Sequence, residues 1–138
     1  GRRALVKRSS VGAGYRFYID DWDLISHTAD ADIAWLPIAD LSLALRYRFY
    51  WQGAAAHYRA RYPELVPDDP FRTRDKELSP LHSHGIALDL ERVWELRADG
   101  STVRTLLSGG STFYLYGDHP LLDRITAIEA TLAVVLER

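Results

Sequence analysis

The stretch LSLALRYRFYWQ, at residues 41–52, constrains the fold of this chain most strongly. Its odd-numbered positions are apolar and end in three aromatic rings, Tyr47, Phe49 and Trp51, whereas most of its even-numbered positions are small, polar or cationic. Side chains of a β-strand point alternately to opposite faces, so this period of two predicts a strand with one apolar face and one polar face. A helix would distribute both classes of residue around its circumference.

The length of this stretch indicates what its apolar face meets. Soluble strands usually have about 5–6 residues, whereas a tilted strand that crosses the hydrocarbon of a bilayer needs about 9–11. In an outer-membrane barrel the apolar face meets lipid, the polar face lines the interior, and aromatic residues gather at the membrane interfaces. The stretch therefore predicts a transmembrane β-strand.

The same alternation recurs along the chain, with turn signals between the segments. It predicts six strands, at residues 8–19, 24–35, 41–52, 81–96, 102–116 and 123–137. Pro37 predicts the end of the second strand, Asp99-Gly100 a hairpin, and Gly109-Gly110 a bulge. The short links predict sequential antiparallel hairpins. We therefore predict an all-β fold, an antiparallel meander of about six strands that forms part of a transmembrane β-barrel.

Residues 53–80 interrupt the alternation with four prolines and charges of both signs. An irregular segment of this length is uncommon inside a compact soluble domain, but it is ordinary on the external side of an outer-membrane barrel. We interpret residues 1–138 as a single β-barrel segment in which residues 53–80 form a long external loop. Since bacterial single-chain barrels have at least eight strands, six strands indicate a fragment of a larger barrel.

Composition narrows the classes of function. A net charge of −2 gives no electrostatic argument for nucleic-acid binding, and the lack of cysteine excludes thiol nucleophiles, disulfides and thiolate metal sites. The sequence contains no continuous run of about 20 apolar residues, so it predicts no membrane helix. His82 and His84 share a strand face, but the sequence places no further metal ligand beside them. With no nucleophile-elbow motif either, we expect no catalytic activity, no cofactor and no metal.

Charged residues on the predicted polar faces change sign from strand to strand. They are Arg16 on the first strand, Asp30 and Asp32 on the second, Arg46 and Arg48 on the third, and Asp89 and Glu91 on the fourth. Opposite charges across an antiparallel pair stabilise each other. A five-residue turn over residues 36–40 predicts Asp30 opposite Arg46, with Arg16 and Arg48 diagonal to Asp30. This interior charge ladder either lets a polar interior pack or lines a pore that selects solutes by charge.

Three segments carry a family resemblance. They are GYRFYIDDWDLISHT at residues 14–28, LRYRFYWQGAAAHY at residues 45–58 and FRTRDKELSPLHSH at residues 71–84. Together they resemble a bacterial family of uncharacterised, porin-like outer-membrane β-barrel proteins, over roughly residues 14–90. The resemblance implies a barrel and a bacterial outer-membrane location, with no established activity or catalytic residues. Such barrels usually end on an aromatic residue, whereas this chain ends Leu136-Glu137-Arg138.

We expect an outer-membrane β-barrel protein of porin or surface-scaffold type, in contact with the lipid bilayer and with small solutes or ions, and not with nucleic acid. The residues expected to face lipid are Leu43, Leu45, Phe49, Ile86, Leu88, Leu132 and Val134. One alternative is a soluble β-barrel in which the faces swap and the apolar residues of 41–49 line a cavity for an apolar ligand. Another is an outer-membrane enzyme with a site among the external loops.

Overall fold

In the part of the chain that the structure describes, seven strands form one antiparallel sheet in sequence order. The structure, a computed structural model, describes residues 1–62, 72–96 and 100–137, without the side chains of Leu5 and Val6. The strands are β1 (Arg2–Val6), β2 (Ser9–Ile19), β3 (Ile25–Ile38), β4 (Leu41–Gln52), β5 (Leu81–Glu95), β6 (Thr102–Tyr116) and β7 (Arg124–Glu137). A short 3-10 helix covers Lys76–Leu78. The predicted antiparallel meander is confirmed, and β1 and β7 are the two edges of an open sheet.

All six predicted strands are present, and their bounds differ from the prediction by at most three residues. The sequence analysis missed β1, because five residues that begin Arg2-Arg3 show no apolar alternation. A register irregularity between Ala4 and Val6 shortens the pairing of β1 with β2 further. The periodicity signal therefore fails where a strand is both short and irregular.

The predicted five-residue turn over residues 36–40 is wrong. Strand β3 continues to Ile38, and only Ala39 and Asp40 form the turn. Pro37 lies at a register irregularity between Trp35 and Ile38. Proline has no N–H to donate to a neighbouring strand, and an irregularity of this kind lets the chain pass it without breaking the sheet. The register with β4 consequently moves by two residues, which leaves every side chain on its predicted face.

The bulge predicted at Gly109-Gly110 is also wrong, since β6 pairs with β5 and β7 without a register shift. Gly110 lies on a crowded face, where an added Cβ would be 3.0 Å from the carbonyl oxygen of Ile86 and 3.1 Å from the Cβ of Ala87. A glycine here permits close packing rather than a bulge. Asp99, half of the predicted hairpin signal, lies outside the described residues, and Gly100 has a φ of 76°.

The sheet has two chemically distinct faces. Residues on the polar face of six strands, β2 to β7, line one cavity of about 480 Å³, so the sheet curls around its polar face. The apolar face is on the convex side. Among the described residues the buried apolar side chains are Leu24, Ala55, Tyr58 and Leu81, which lie in or beside the loops at one end of the sheet. No helix in the described part of the chain is long and apolar enough to cross a membrane.

The connections between successive strands alternate between the two ends of the sheet. At the end that we call the short-turn end, residues 7–8, 39–40 and 96–101 connect the strands. At the opposite end, which we call the long-loop end, the connections are residues 20–24, 53–80 and 117–123. Residues 63–71 of the predicted long loop lie outside the described residues. The described remainder is irregular apart from the 3-10 helix and one bridge between Tyr58 and Thr73.

Candidate functional site

The concave polar face holds all seven residues of the predicted charge ladder. Five of them, Arg16, Asp30, Asp32, Arg46 and Arg48, line the cavity of about 480 Å³. Asp89 and Glu91 line an adjoining cavity of about 330 Å³ nearer the short-turn end. The alternation of side chains along the strands thus brings the predicted residues together on one surface.

The pairing within the ladder differs from the prediction. Asp30 lies opposite Arg48, not Arg46, because the turn between β3 and β4 is shorter than predicted. Arg48 Nε donates to Asp30 Oδ1 at 2.6 Å. Arg16 lies opposite Thr28 and is therefore diagonal to Asp30, as predicted. The charges do alternate in sign from β2 to β5, as predicted, but the register between β3 and β4 determines which residues form ion pairs.

The other acidic residues of the ladder also have cationic partners. Arg46 Nε lies 2.8 Å from Asp89 Oδ2. Asp32 pairs with Arg2 at 2.6 Å. Glu91 pairs with Arg104 at 3.3 Å. The carboxylates of Asp89 and Glu91 therefore balance guanidinium groups on neighbouring strands, whereas Arg2 of β1 reaches Asp32 of β3 across Gly12 of β2.

Sequence reasoning missed four participants in this network. Arg2 belongs to the unpredicted strand β1, and Arg104 also reaches Glu137 at 3.5 Å. The Ser108 hydroxyl donates to Asp89 Oδ1 at 2.5 Å. Arg104 and Ser108 lie on the same face of β6 as Gly110 and Thr112, and the bulge wrongly predicted at Gly109-Gly110 hid this relation.

Two charges of the cavity remain unpaired. Within residues 1–62, 72–96 and 100–137, neither Arg16 nor Glu129 forms an ion pair, although both line the cavity of about 480 Å³. Hydroxyl groups of Thr28, Tyr50 and Thr112 share the lining. This surface offers hydrogen bonds and two uncompensated charges of opposite sign to water, ions or small polar solutes.

The pair Asp30–Arg48 gives a first prediction. The side chains are 37% and 61% exposed, so Asp30→Ala should cost no more than about 1 kcal/mol of unfolding free energy. The double change Asp30→Ala with Arg48→Leu should cost less than the sum of the two single changes, because each single change already removes the interaction between the two side chains. Reversible denaturation of the wild type, both single variants and the double variant measures this coupling. Strictly additive losses would show that the two side chains do not interact.

An aromatic band crosses the convex face near the long-loop end. Neighbouring rings lie 5.2–6.2 Å apart between centroids, and several pairs share a histidine. The band consists of Tyr15, Phe17, His27, Tyr47, Phe49, Trp51, His82 and His84. Its members come from four consecutive strands, so it forms a belt across the sheet rather than a local cluster.

The band contains a repeated arrangement built on the sequence Tyr-Arg-Phe-Tyr, which occurs at residues 15–18 and 47–50. In both copies the histidine opposite the phenylalanine hydrogen-bonds the first tyrosine through Nδ1. The distance is 2.6 Å for Tyr15 and His27 and 2.7 Å for Tyr47 and His84. The hairpin β2–β3 therefore resembles the hairpin β4–β5, a similarity that the periodicity of single strands does not reveal.

The connections at the long-loop end pack on one another. The Gln52 side chain donates to the carbonyl oxygens of Glu77 and Ser79 at 2.8 and 2.7 Å. The Ala56 N–H donates to the carbonyl oxygen of Trp22 at 2.8 Å, and the Tyr58 hydroxyl donates to the carbonyl oxygen of Asp118. Burial, with the charge of Asp118 as a smaller cause, raises the pKa of Tyr58 above its ordinary value of 10.0. All three connections are thus tied into one cap.

The described residues contain no group of three or more histidine or carboxylate side chains placed to hold a metal ion. His82 and His84 lie 5.8 Å apart between ring centroids and belong to the aromatic band. Asp20 has a structural role in its turn, because its Oδ1 accepts hydrogen bonds from the N–H groups of Trp22 and Leu24. No metal centre is therefore assigned to these residues.

Comparison with known families relates this geometry to other proteins. A family model described as "Protein of unknown function (DUF3570)" matches residues 1–84. The chain belongs to this family. The DUF3570 match covers β1 to β4, the described loop residues and the start of β5, including both Tyr-Arg-Phe-Tyr segments. No curated protein and no solved structure matched the chain. Membership in an uncharacterised family is thereby confirmed, while the outer-membrane location stays a prediction.

Proposed function

We propose that this chain is part of an outer-membrane β-barrel protein of porin or surface-scaffold type, without catalytic activity. Its convex apolar face contacts lipid, and its concave polar face lines the barrel interior. The observation that carries the proposal is the chemistry of the convex face. Large apolar side chains on that face are exposed from β2 across to β7, for example Phe17, Ile33, Leu45, Leu88, Leu107 and Leu132.

The extent of this apolar surface favours lipid over water. Leu88 is 55% exposed, Leu132 is 68% exposed and Ile128 is 82% exposed. Soluble monomers rarely expose contiguous apolar patches larger than a few hundred Å². A soluble sheet protein covers such a face with a second layer. The described residues supply no second layer on this face, whereas a bilayer would cover it.

The positions of the aromatic residues support the same orientation. The aromatic band lies near the long-loop end of the convex face, and Trp35 and Trp94 lie near the short-turn end. Aromatic residues gather at both interfaces of membrane barrels, where a ring with a polar tip meets both lipid and water. The leucines and isoleucines between the two sets then face the hydrocarbon.

The proposal also requires closure of the sheet. An exposed strand edge in lipid leaves backbone N–H and C=O groups without partners, each at a cost of several kcal/mol. In a membrane the edges formed by β1 and β7 must therefore pair with other strands, either in a larger barrel or in an oligomer of this chain. Closure would convert the concave face, with its two cavities and its ion pairs, into a polar interior that contacts ions or small solutes.

The alternative of a soluble barrel with an apolar ligand inside needs the opposite curvature. The cavities of about 480 and 330 Å³ both lie on the polar face. An apolar ligand bound there would leave ionised Asp30, Arg48 and their neighbours without water, which is costly. The membrane orientation is therefore the one that the curvature supports.

Folding with and without a membrane-like environment tests the proposal. We expect the purified chain to form β-structure in detergent micelles or lipid vesicles and to aggregate in plain buffer, because the convex face is apolar. Circular dichroism and analytical ultracentrifugation measure both properties. A folded, monomeric chain in detergent-free buffer would instead support the soluble ligand-binding barrel.

A further inference from the structure

Four arginines cluster in the cap at the long-loop end, and we call Arg59, Arg61, Arg72 and Arg74 the loop arginine cluster. Two extended arms of the loop meet at a parallel bridge between Tyr58 and Thr73. The N–H of Arg59 donates to the carbonyl oxygen of Thr73 at 3.3 Å. The bridge therefore brings Arg59 and Arg61 on one arm close to Arg72 and Arg74 on the other.

The bridge also determines which way the arginines face. Tyr58 is 3% exposed and packs into the cap, so its side of the bridge is buried. Neighbouring residues of an extended segment point to the opposite side. Arg59, Arg72 and Arg74 are accordingly exposed, as is Arg61. The cluster thus presents its guanidinium groups to whatever lies outside the cap.

Tyr62 holds two of these arginines in place. The guanidinium carbon atoms of Arg72 and Arg74 lie 5.6 and 5.7 Å from the centre of the Tyr62 ring. The Tyr62 hydroxyl donates to the carbonyl oxygen of His57 on one arm, and it accepts a hydrogen bond from the Thr73 N–H on the other arm at 2.9 Å. Cation–π contact orders both guanidinium groups without neutralising either charge.

No residue of the cluster has a carboxylate partner within residues 1–62, 72–96 and 100–137. The sequence between the two arms contains Glu64, Asp68 and Asp69, which lie outside the described residues. On the concave face, by contrast, nearly every arginine has an acidic partner. Exposed guanidinium groups held close together are suited to bind phosphate through two parallel hydrogen bonds.

The position of the cluster indicates where the phosphate comes from. Along the direction from the middle of the sheet toward the long-loop end, the chain presents apolar side chains, then the aromatic band, then the arginines. An edge-on contact between Trp22 and His57, 6.0 Å between centroids, joins the turn at residues 20–24 to the loop that carries the cluster. Hydrocarbon, interface and phosphate follow one another in the same order across a lipid leaflet.

We propose that the loop arginine cluster binds the phosphate groups of lipid headgroups at the membrane surface. The inference rests on the proposed membrane orientation, and it adds a lipid class and a site. Lipids with a phosphate monoester and no positive charge bind best, because they present the most anionic oxygens to the cluster. The contact fixes the depth of the long loop relative to the bilayer.

Titration of the folded chain with lipid tests the site. The chain, held in zwitterionic detergent, is titrated with short-chain phosphatidic acid, and tryptophan fluorescence follows binding. We expect Arg72→Gln with Arg74→Gln to weaken binding about tenfold, since each basic residue near an anionic surface contributes severalfold. The double variant Arg59→Gln with Arg61→Gln should weaken binding of phosphatidic acid by a similar factor. The matched control, Lys7→Gln with Arg8→Gln, removes two exposed positive charges from the turn between β1 and β2 at the short-turn end and should change the affinity no more than about twofold.

Three outcomes overturn the proposal. Equal losses in the cluster variants and the control would show non-specific attraction. Equal affinity for short-chain phosphatidylcholine would show that the monoester is not recognised. Binding of inorganic phosphate that the cluster variants lose, with unchanged binding of the lipid, would assign the cluster to a soluble anion. Circular dichroism of each variant in the same detergent confirms folding. A chain that needs no detergent to stay folded would overturn the membrane orientation itself, which separates that failure from failure of the arginine site.

Discussion

Replacement of Leu45 by arginine should reduce the unfolding free energy in lipid by about 2–4 kcal/mol, the cost of a basic residue on the lipid face of a barrel near the bilayer midplane. Leu45 lies in the middle of β4, opposite Ile33 on one neighbouring strand and Leu88 on the other. Its side chain is on the convex face and is 44% exposed. Reversible denaturant unfolding in vesicles of phosphatidylcholine measures the loss.

Ala44→Arg is the matched control for this prediction, because it adds the same charge one residue away on the opposite face. Ala44 lines the cavity of about 330 Å³ together with Asp89 and Glu91, which would partner the new guanidinium group. We expect a change within about 0.5 kcal/mol, as for an ordinary substitution at a hydrated surface. Equal effects of the two substitutions would mean that the two faces of β4 meet the same solvent.

Gly110→Val should destabilise the sheet by about 1–3 kcal/mol, the usual cost of forcing extra atoms into a packed site. A Cβ at this position would lie 3.0 Å from the carbonyl oxygen of Ile86, 3.1 Å from the Cβ of Ala87 and 3.4 Å from Glu129 Oε1. The first of these atoms is backbone within a paired strand, so it cannot retreat without disturbing the sheet. Unfolding in detergent or vesicles measures the loss.

Gly109→Val provides the control at the adjacent residue. A Cβ there meets nothing within 4 Å, because Gly109 points to the open convex side. Valine loses less backbone entropy than glycine and suits a strand, so stability should be unchanged or higher by up to about 1 kcal/mol. If Gly109→Val were the more damaging of the two, the assignment of β6 residues to faces would be inverted.

Alternation predicted the faces of the strands well, because a period of two depends only on local sequence. Strand β4 is the clearest example, since its predicted and observed bounds are identical. Alternation does not determine the register between strands, because the register depends on the turns that connect them. Pro37 indicated the end of β3 from the sequence, yet the chain passes it through an irregularity, and Asp30 consequently meets Arg48 instead of Arg46.

The cap at the long-loop end was beyond sequence reasoning for a physical reason. Its contacts join segments that are far apart in the chain, such as Tyr58 and the backbone of Asp118. Most of them involve backbone carbonyl oxygens, which are present at every residue and leave no mark in the sequence. The loop arginine cluster depends on the same folding, because it is the bridge at Thr73 that joins the two arms.

The central claim is that the convex face meets hydrocarbon and the concave face meets water. The chain contains no cysteine, so Leu88→Cys and Ala44→Cys each provide one labelling site, on the convex and the concave face respectively. Each variant is labelled with a fluorophore, reconstituted in vesicles, and exposed to brominated lipid or to aqueous iodide. Our account predicts that brominated lipid quenches the label at position 88 and that iodide quenches the label at position 44. Quenching of the label at position 88 by iodide, with no effect of brominated lipid, would contradict it.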